Sequence, residues 1–295
     1  MIVITAPTGS VGSGVVGNLL GGDEPVRVVV RDPARLAPQV REQAEVVVGS
    51  HSEADVVDRA FEGADSVFWL VPPNPRAPTL LDHYTGFSRA ACDAFKNHGV
   101  ERVVVVSALG RGFPGCAENA GLVSASLAMD DAIAATGVGH RSLTLPGFMD
   151  NVLRQLESIR SQGVFSFTVP GDLKLPSCAV RDIAAVAAGL LRDHSWSGSG
   201  SVPVLGPEDI SMNGMAQTMS EVLGRPVRYR QTPVEVFRAT LLEHGMSEAM
   251  VKGMVDMMVA KAAGLDTVEP RTPQGSSPTS FRQWCEEVLK PAYAA

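Results

Sequence analysis

MIVITAPTGSVGSG, residues 1–14, runs from an apolar, β-branched stretch, Ile2–Thr5, into a glycine-rich turn and then into residues with helical spacing. A strand that feeds such a turn brings the free amides of a helix's first turn, and the positive end of its dipole, to one point where a phosphate is stabilised. Glycine spacing alone is weak evidence, because glycine punctuates many turns; the flanking strand and helix raise its value. In this setting Gly9 lets the backbone approach a dinucleotide pyrophosphate, with Thr8, Ser10 and Val11 beside it, and Gly12 lets the helix pack closely on the strand. Ala6 stands where dinucleotide-binding folds usually have their first glycine, and its place before Pro7 predicts an extended backbone.

Outward from this turn the pattern alternates. Strands are expected at Ile2–Thr5, Val26–Val30, Glu45–Val48, 66–71, 102–107 and 140–145, and helices at 11–20, 53–61, 79–98 and 124–136. The strands are short, β-branched and nearly continuous in apolar character, as parallel strands covered on both faces are. This predicts an α/β fold of Rossmann type, a doubly wound parallel sheet whose ligands sit beyond the carboxyl ends of the strands. After Asn151 the pattern changes to helices at 152–162, 181–192, Met212–Leu223, 233–263 and 281–289, with an apolar segment at 164–169, a strand at 202–205 and a proline- and serine-rich loop at 270–280. The expected division is an NAD(P)-binding domain at 1–151 and a smaller, mainly helical substrate-binding lobe at 152–295. About 179–205 of that lobe return to the main sheet.

Composition bounds the function. The 295 residues are 45% hydrophobic, ample for this core, and no apolar run has the length of a membrane span. The chain enters its first strand at residue 2 without a basic leader, so a soluble cytoplasmic protein is expected. A formal charge of −7 disfavours a nucleic-acid footprint. Cys92, Cys116, Cys178 and Cys285 are widely separated, with no CxxC pair and no histidine at ligand spacing, so neither a metal site nor a disulfide framework is expected. A GxSxG elbow and an HExxH motif are both missing, which sets hydrolase and metalloenzyme chemistry aside.

The second strand ends in Arg31-Asp32-Pro33-Ala34-Arg35, about twenty residues past the glycine turn, where a ribose-binding acid would indicate NAD. An arginine there favours NADP(H) over NAD, with Asp32 turned toward a ribose hydroxyl as the alternative. The Arg31 guanidinium suits a 2′-phosphate, and Arg35 lies one turn on, able to close a fork around the same group.

Six segments together resemble the NmrA-like family, an atypical branch of the short-chain dehydrogenase/reductase superfamily, over nearly the whole chain. They are TAPTGSVG (5–12), VRVVVRDP (26–33), GVERVVVVS (99–107), LPGFMDN (145–151), VRDIAA (180–185) and EVLGRPV (221–227). The resemblance implies pyrophosphate contacts from Gly9 to Gly12, 2′-phosphate contacts from Arg31 and Arg35, adenine-ribose contacts from Val71, Pro72 and Pro73, and a nicotinamide edge at Pro146 to Phe148. The family includes NADPH-dependent quinone and imine or enone reductases, and cofactor-sensing proteins that regulate transcription factors. Gly49-Ser50-His51 departs from the family's usual Gly-Asp pair, and His51 reads as an exposed loop histidine, with a stack on or bond to the adenine base as the alternative.

Ser107 closes a strand at the ligand edge, where the superfamily often has the serine that orients a substrate carbonyl, and it is a candidate for cofactor and substrate contact. The TyrxxxLys pair that would complete the site is missing. In the expected helix 124–136, Ser126 stands where a lysine often sits and Asp130 where a glutamate does, and no tyrosine occurs between Tyr84 and Tyr229. A quinone, enone or imine accepts hydride without that acid if it is held face-on to the cofactor away from water. Phe113, Phe148 and Met149 are the candidate substrate walls, and Asn151 or Ser107 the candidate donors to a developing oxyanion. His83 and Tyr84 begin a helix, where a histidine is expected to face solvent, with reach into the cleft as the alternative. Met246, Met250, Met254, Met257 and Met258 recur at helical spacing and read as a packing face, with a pliable lid over the substrate as the alternative. The expected function is an NADPH-dependent oxidoreductase acting on a small, flat, conjugated molecule. A non-catalytic NADP sensor and a non-redox cyclase or isomerase on the same fold remain alternatives, and the oligomeric state is open.

Overall fold

A computed structural model describes residues 1–295, apart from the side chain of residue 117. The strands are β1 (Ile2–Thr5), β2 (Val26–Val30), β3 (Glu45–Val48), β4 (Ser66–Trp69), β5 (Arg102–Ala108), β6 (Gly139–Leu145), β7 (Gly147–Phe148), β8 (Val164–Phe167), β9 (Lys174–Cys178), β10 (Ser199–Pro203), β11 (Asp209–Ser211) and β12 (Arg228–Gln231). The helices are α1 (Ser10–Leu19), α2 (Pro38–Gln43), α3 (Ala54–Phe61), α4 (Phe87–Asn97), α5 (Cys116–Asn119), α6 (Leu122–Ala134), α7 (Leu156–Gln162), α8 (Val180–Arg192), α9 (Met212–Leu223), α10 (Val234–Glu243), α11 (Glu248–Ala262), α12 (Phe281–Trp284) and α13 (Lys290–Ala294).

A seven-stranded sheet in the order β10-β6-β5-β4-β1-β2-β3 forms the centre, and every pairing in it is parallel. The chain starts in the middle of this sheet, builds outward to β3, then crosses back to β4 and builds the other way. The switch therefore lies between β1 and β4. Alternate residues explain why the strands carry apolar residues on both faces. Ile2, Ile4, Val28, Phe68 and Val104 pack under α1 and α8, whereas Val3, Val29, Val67, Trp69 and Val105 pack under α3, α4 and α6. Each such side chain, taken fully out of water, contributes about 1.5–3 kcal/mol.

Helix α1 sits unusually close to the turn that precedes it. A Cβ placed on Gly12 would lie 2.2 Å from the carbonyl oxygen of Ala6, and one on Gly14 would lie 2.8 Å from the Ala184 Cβ of α8. Ala6 itself has φ +50°, in the left-handed region, rather than the extended backbone expected before a proline. The turn demands it: the Ala6 carbonyl accepts from Gly9 N at 3.0 Å and lies beneath Gly12, so alanine takes the conformation that glycine usually supplies.

Beyond β6 the chain builds a lobe with a three-stranded sheet, β11-β9-β7, and a two-stranded parallel pair, β12-β8. Phe165, Met219, Phe281, Trp284 and Leu289 are fully buried at its centre. The chain also returns to the main sheet, where α8 packs on α1 and β10 pairs with β6 from Ser199 opposite His140. The helix expected at 233–263 is two helices, α10 and α11. Gly245, at φ +75°, ends the first, and the Ser247 hydroxyl caps the second by accepting from Met250 N. Ser247 also fastens this hairpin to the loop after β4, donating from its amide to Pro75 O at 2.9 Å and from its hydroxyl to Ala77 O at 2.6 Å. Among the described residues no helix is long and apolar enough to cross a membrane.

Gly12→Ala drives a methyl group into backbone that has no side chain to move. It is expected to destabilise the fold by roughly 1–3 kcal/mol, read as a lower urea midpoint, and to weaken dinucleotide binding with it.

Candidate active site

A cleft of about 940 Å³ opens at the carboxyl ends of β1 to β5, over the switch between β1 and β4. Thr5 fastens those two strands beside it: its hydroxyl donates to Phe68 O at 2.8 Å and accepts from Leu70 N at 3.1 Å. Thr8, Gly9, Ser10 and Val11 line the cleft, and Gly12 lies behind them against Ala6. Gly9 is the N-cap of α1, with no side-chain cap and no acid in the first turn. The first amides of the helix are therefore open to an anion.

Arg31 and Arg35 line the same cleft at the end of β2. Both are exposed, and among the described residues neither has an ion-pair partner. Asp32, the acid that would serve a ribose hydroxyl, is not in the cleft wall. Its carboxylate accepts from Ala34 N at 3.0 Å and caps the short turn Pro33–Arg35. Two free guanidinium groups and a diverted carboxylate fit the 2′-phosphate of NADP(H), and the glycine cradle with uncapped amides fits its pyrophosphate. Val71, Pro72 and Pro73 line the cleft beyond β4, and Phe148 lines it from the lobe side; Pro146 reaches neither this cleft nor the cavity described below.

Two histidines expected at the surface are instead buried in the cleft wall. His51 lies edge-on to Trp69 and Phe87, with ring centroids 5.1 and 4.9 Å away, and its Nε2 is 3.0 Å from Leu70 O. Burial lowers its pKa from 6.5 to about 4, against the opposing effect of the Leu70 bond and with help from the Arg31 charge. Burial also lowers the pKa of His83. Both rings are neutral under the cleft at neutral pH.

A second cavity, about 410 Å³, adjoins the first, and the two share Phe148, Asn151 and Arg154. Its wall is mostly apolar: six methionines (Met149, Met212, Met215, Met254, Met257 and Met258) join Phe148, Phe167, Phe237 and Leu241. The methionine repeat of α11 thus has two uses. Met254, Met257 and Met258 face the cavity, while Met250 is buried in packing. Phe113, expected as a wall, lies outside both cavities and packs against the cluster of Cys116, Val123 and Leu265. Lys261, Asp266, Ser177 and Arg154 line this second cavity and were not singled out by sequence reasoning, since no motif or spacing marks them.

Ser107 is not where the sequence suggested. Val106 lines the cleft, so Ser107 points to the other face of the sheet, and its hydroxyl donates to the buried carboxylate of Asp130 on α6. The other oxygen of that carboxylate is 3.8 Å from His140 Nε2 and has no hydrogen-bond partner. Helix α6 contains neither tyrosine nor lysine, and none of Tyr84, Tyr229 and Tyr293 lines either cavity. Among the described residues no cluster of side chains has the makings of a metal site.

The model of the NmrA-like family matches residues 1–278, and the chain belongs to that family. It is 31% identical over 291 residues to the (4-alkanoyl-5-oxo-2,5-dihydrofuran-3-yl)methyl phosphate reductase of Streptomyces griseus, covering 97% of each chain. It is 26% identical to the NAD(P)H azoreductase of Xenophilus azovorans over 91% of each. Among solved structures, the NADPH complex of an Escherichia coli quinone oxidoreductase aligns with a TM-score of 0.79 at 20% identity, over 98% of this chain and 100% of that one. The NADP(H) complex of Citrobacter triphenylmethane reductase aligns with 0.78 at 19% identity, over 96% and 98%. These two likenesses show the Rossmann-type fold.

The site's buried polar groups make two predictions. Ser107→Ala is expected to cost roughly 1–3 kcal/mol of stability by stripping a donor from buried Asp130, with NADPH affinity unchanged in a binding titration. For His51 the folded pKa lies below the unfolded one, so its contribution is whole above pH 6.5 and is lost as pH falls toward 4. From about pH 7 to about pH 5 it accounts for a loss of roughly 2 kcal/mol. His51→Gln should flatten the slope of unfolding free energy against pH in that window.

Proposed function

We propose that the chain is an NADPH-dependent oxidoreductase that reduces a small conjugated acceptor, a quinone, an enone or an imine, by direct hydride transfer. The observation that carries this reading is the junction at Phe148 and Asn151, wall residues shared by a cleft fitted to NADP(H) and a methionine-rich, apolar cavity. The relatives support it. One is named for a dihydrofuranone whose ring double bond is conjugated with carbonyl groups and the other for azo reduction, and both are reductases.

Bound NADPH supplies the hydride, and the rest of the catalytic demand falls on position and environment. The turn at 8–11 and the amides of α1 hold the pyrophosphate, Arg31 and Arg35 hold the 2′-phosphate, and 71–73 border the adenine-ribose half. Phe148 and Met149 exclude water where the acceptor lies against the nicotinamide, and the Asn151 side chain donates to an acceptor oxygen. On this reading residues 1–151 hold the cofactor and 152–295 supply most of the acceptor's surroundings. Without a tyrosine in either cavity, simple alcohol and ketone interconversion is poorly served, whereas an acceptor already polarised by conjugation needs less.

The test is NADPH absorbance followed against a panel of quinones, enones and imines, beside NADPH and NADH titrations. Turnover of at least one acceptor class is expected, with NADPH preferred. Tight NADPH binding without any turnover would replace this reading with a cofactor sensor. Arg31→Ala is expected to cost about 1.5–3 kcal/mol of NADPH affinity, roughly a tenfold to hundredfold rise in Kd, and to leave NADH affinity nearly unchanged. Equal losses for both would remove the 2′-phosphate assignment.

A further inference from the structure

The apolar cavity holds one feature that apolar packing does not call for. Lys261, near the end of α11, and Asp266, in the turn that follows, both line it, with side chains only 15% and 3% exposed. The ammonium donates to both oxygens of the carboxylate, at 2.6 and 2.5 Å. An ammonium has three donors, and among the described residues no further protein group accepts from Lys261. Burying such a pair costs desolvation that a hydrophobic pair would avoid, so stability alone does not account for it.

Its surroundings point the same way. Ser177 and Thr168 line the same cavity, and among the described residues their buried hydroxyls have no hydrogen-bond partner. Ser177 stands opposite Gly147 and Cys178 opposite Phe148 in the β7–β9 register. The turn that carries Asp266 packs on β9, whose partner strand β7 supplies Phe148, a residue shared by the cavity and the dinucleotide cleft. The only other charged residue of the cavity wall is Arg154, exposed at the junction.

We propose that Lys261 is a catalytic electrophile: its free N–H binds the carbonyl oxygen of a conjugated acceptor, and Asp266 is the residue that positions it. This rests on the reductase reading and narrows it to acceptors in which an oxygen gains negative charge, enones and quinones, as opposed to cationic imines or dyes. In an enone, a hydride from NADPH forms a C–H bond at the carbon β to the carbonyl. The C=C pair shifts to join the α carbon to the carbonyl carbon, the C=O pair moves onto the oxygen as an enolate facing Lys261, and a proton from water closes the α carbon. The dinucleotide is left oxidised and the acceptor reduced by two electrons. A fixed ammonium in an apolar cavity stabilises that oxyanion without solvent reorganisation.

The first test needs neither cofactor nor turnover. 4-Nitrophenol, a flat phenol whose anion resembles the enolate, is bound to the protein and its ionisation is followed by absorbance against pH. The wild type is expected to favour the bound phenolate over the phenol by about tenfold or more relative to free solution. Lys261→Met/Asp266→Leu, which replaces the pair by apolar groups and leaves no buried lone charge, is expected to abolish that preference; Arg154→Gln is expected to retain it. Absence of 4-nitrophenol binding by the wild type, an unchanged preference in the double variant, or its loss only in Arg154→Gln would overturn the proposal. The second test compares acceptors. The double variant should lose about a hundredfold in kcat/KM for an enone or quinone while its rate with a cationic triarylmethane dye holds or rises; equal losses on both would show a structural role. A wild type that shifts the phenol but oxidises no NADPH would leave the oxyanion site standing and remove the reductase reading.

Discussion

The approach of Gly12 to the Ala6 carbonyl sets the geometry of everything that follows. It brings α1 down onto the end of β1 with no space for a methyl group, and it aims the helix's uncapped amides at the cleft. Arg31 then falls at the mouth of the neighbouring strand, because β1 and β2 are in register from Ile2 opposite Val26. The cofactor cleft is thus a product of sheet register and one close contact, and only afterwards of particular side chains. Thr5 completes it by bonding β1 to β4 where the two halves of the sheet diverge.

Much of this was legible in the chain itself. Strands buried on both faces are apolar at most positions, so β1, β2, β4 and β5 stand out from sequence alone. The lobe was harder. Its strands β9, β11 and β12 are short, and Lys174-Leu175-Pro176-Ser177-Cys178 or Arg228-Tyr229-Arg230-Gln231 has no period that distinguishes a strand from a loop. The break between α10 and α11 was marked only by His244-Gly245-Met246-Ser247, a weak signal inside an otherwise helical pattern.

The site divides along the same line. The position of Arg31 and Arg35 in the cleft wall was readable because their distance from the glycine turn has a fixed meaning in a parallel sheet. Ser107 was misplaced by one step of strand parity: side chains alternate across the sheet, so Val106 meets the cleft and Ser107 meets Asp130. His51 and His83 look like loop and helix-start residues, and only tertiary packing buries them under Phe87, Trp69 and the cleft wall. Lys261 and Asp266 lie five residues apart across a helix end, an unremarkable spacing, and the cavity around them comes from β7, β8, β9 and α9 as much as from their own segment.

Ser247 gives the two cavities a mechanical link. It ties the α10–α11 hairpin, whose Phe237, Leu241, Met254 and Met257 wall the apolar cavity, to the loop after β4, whose Val71 to Asn74 border the dinucleotide cleft. The loop and the hairpin thus share one attachment, made by a residue that lines neither cavity.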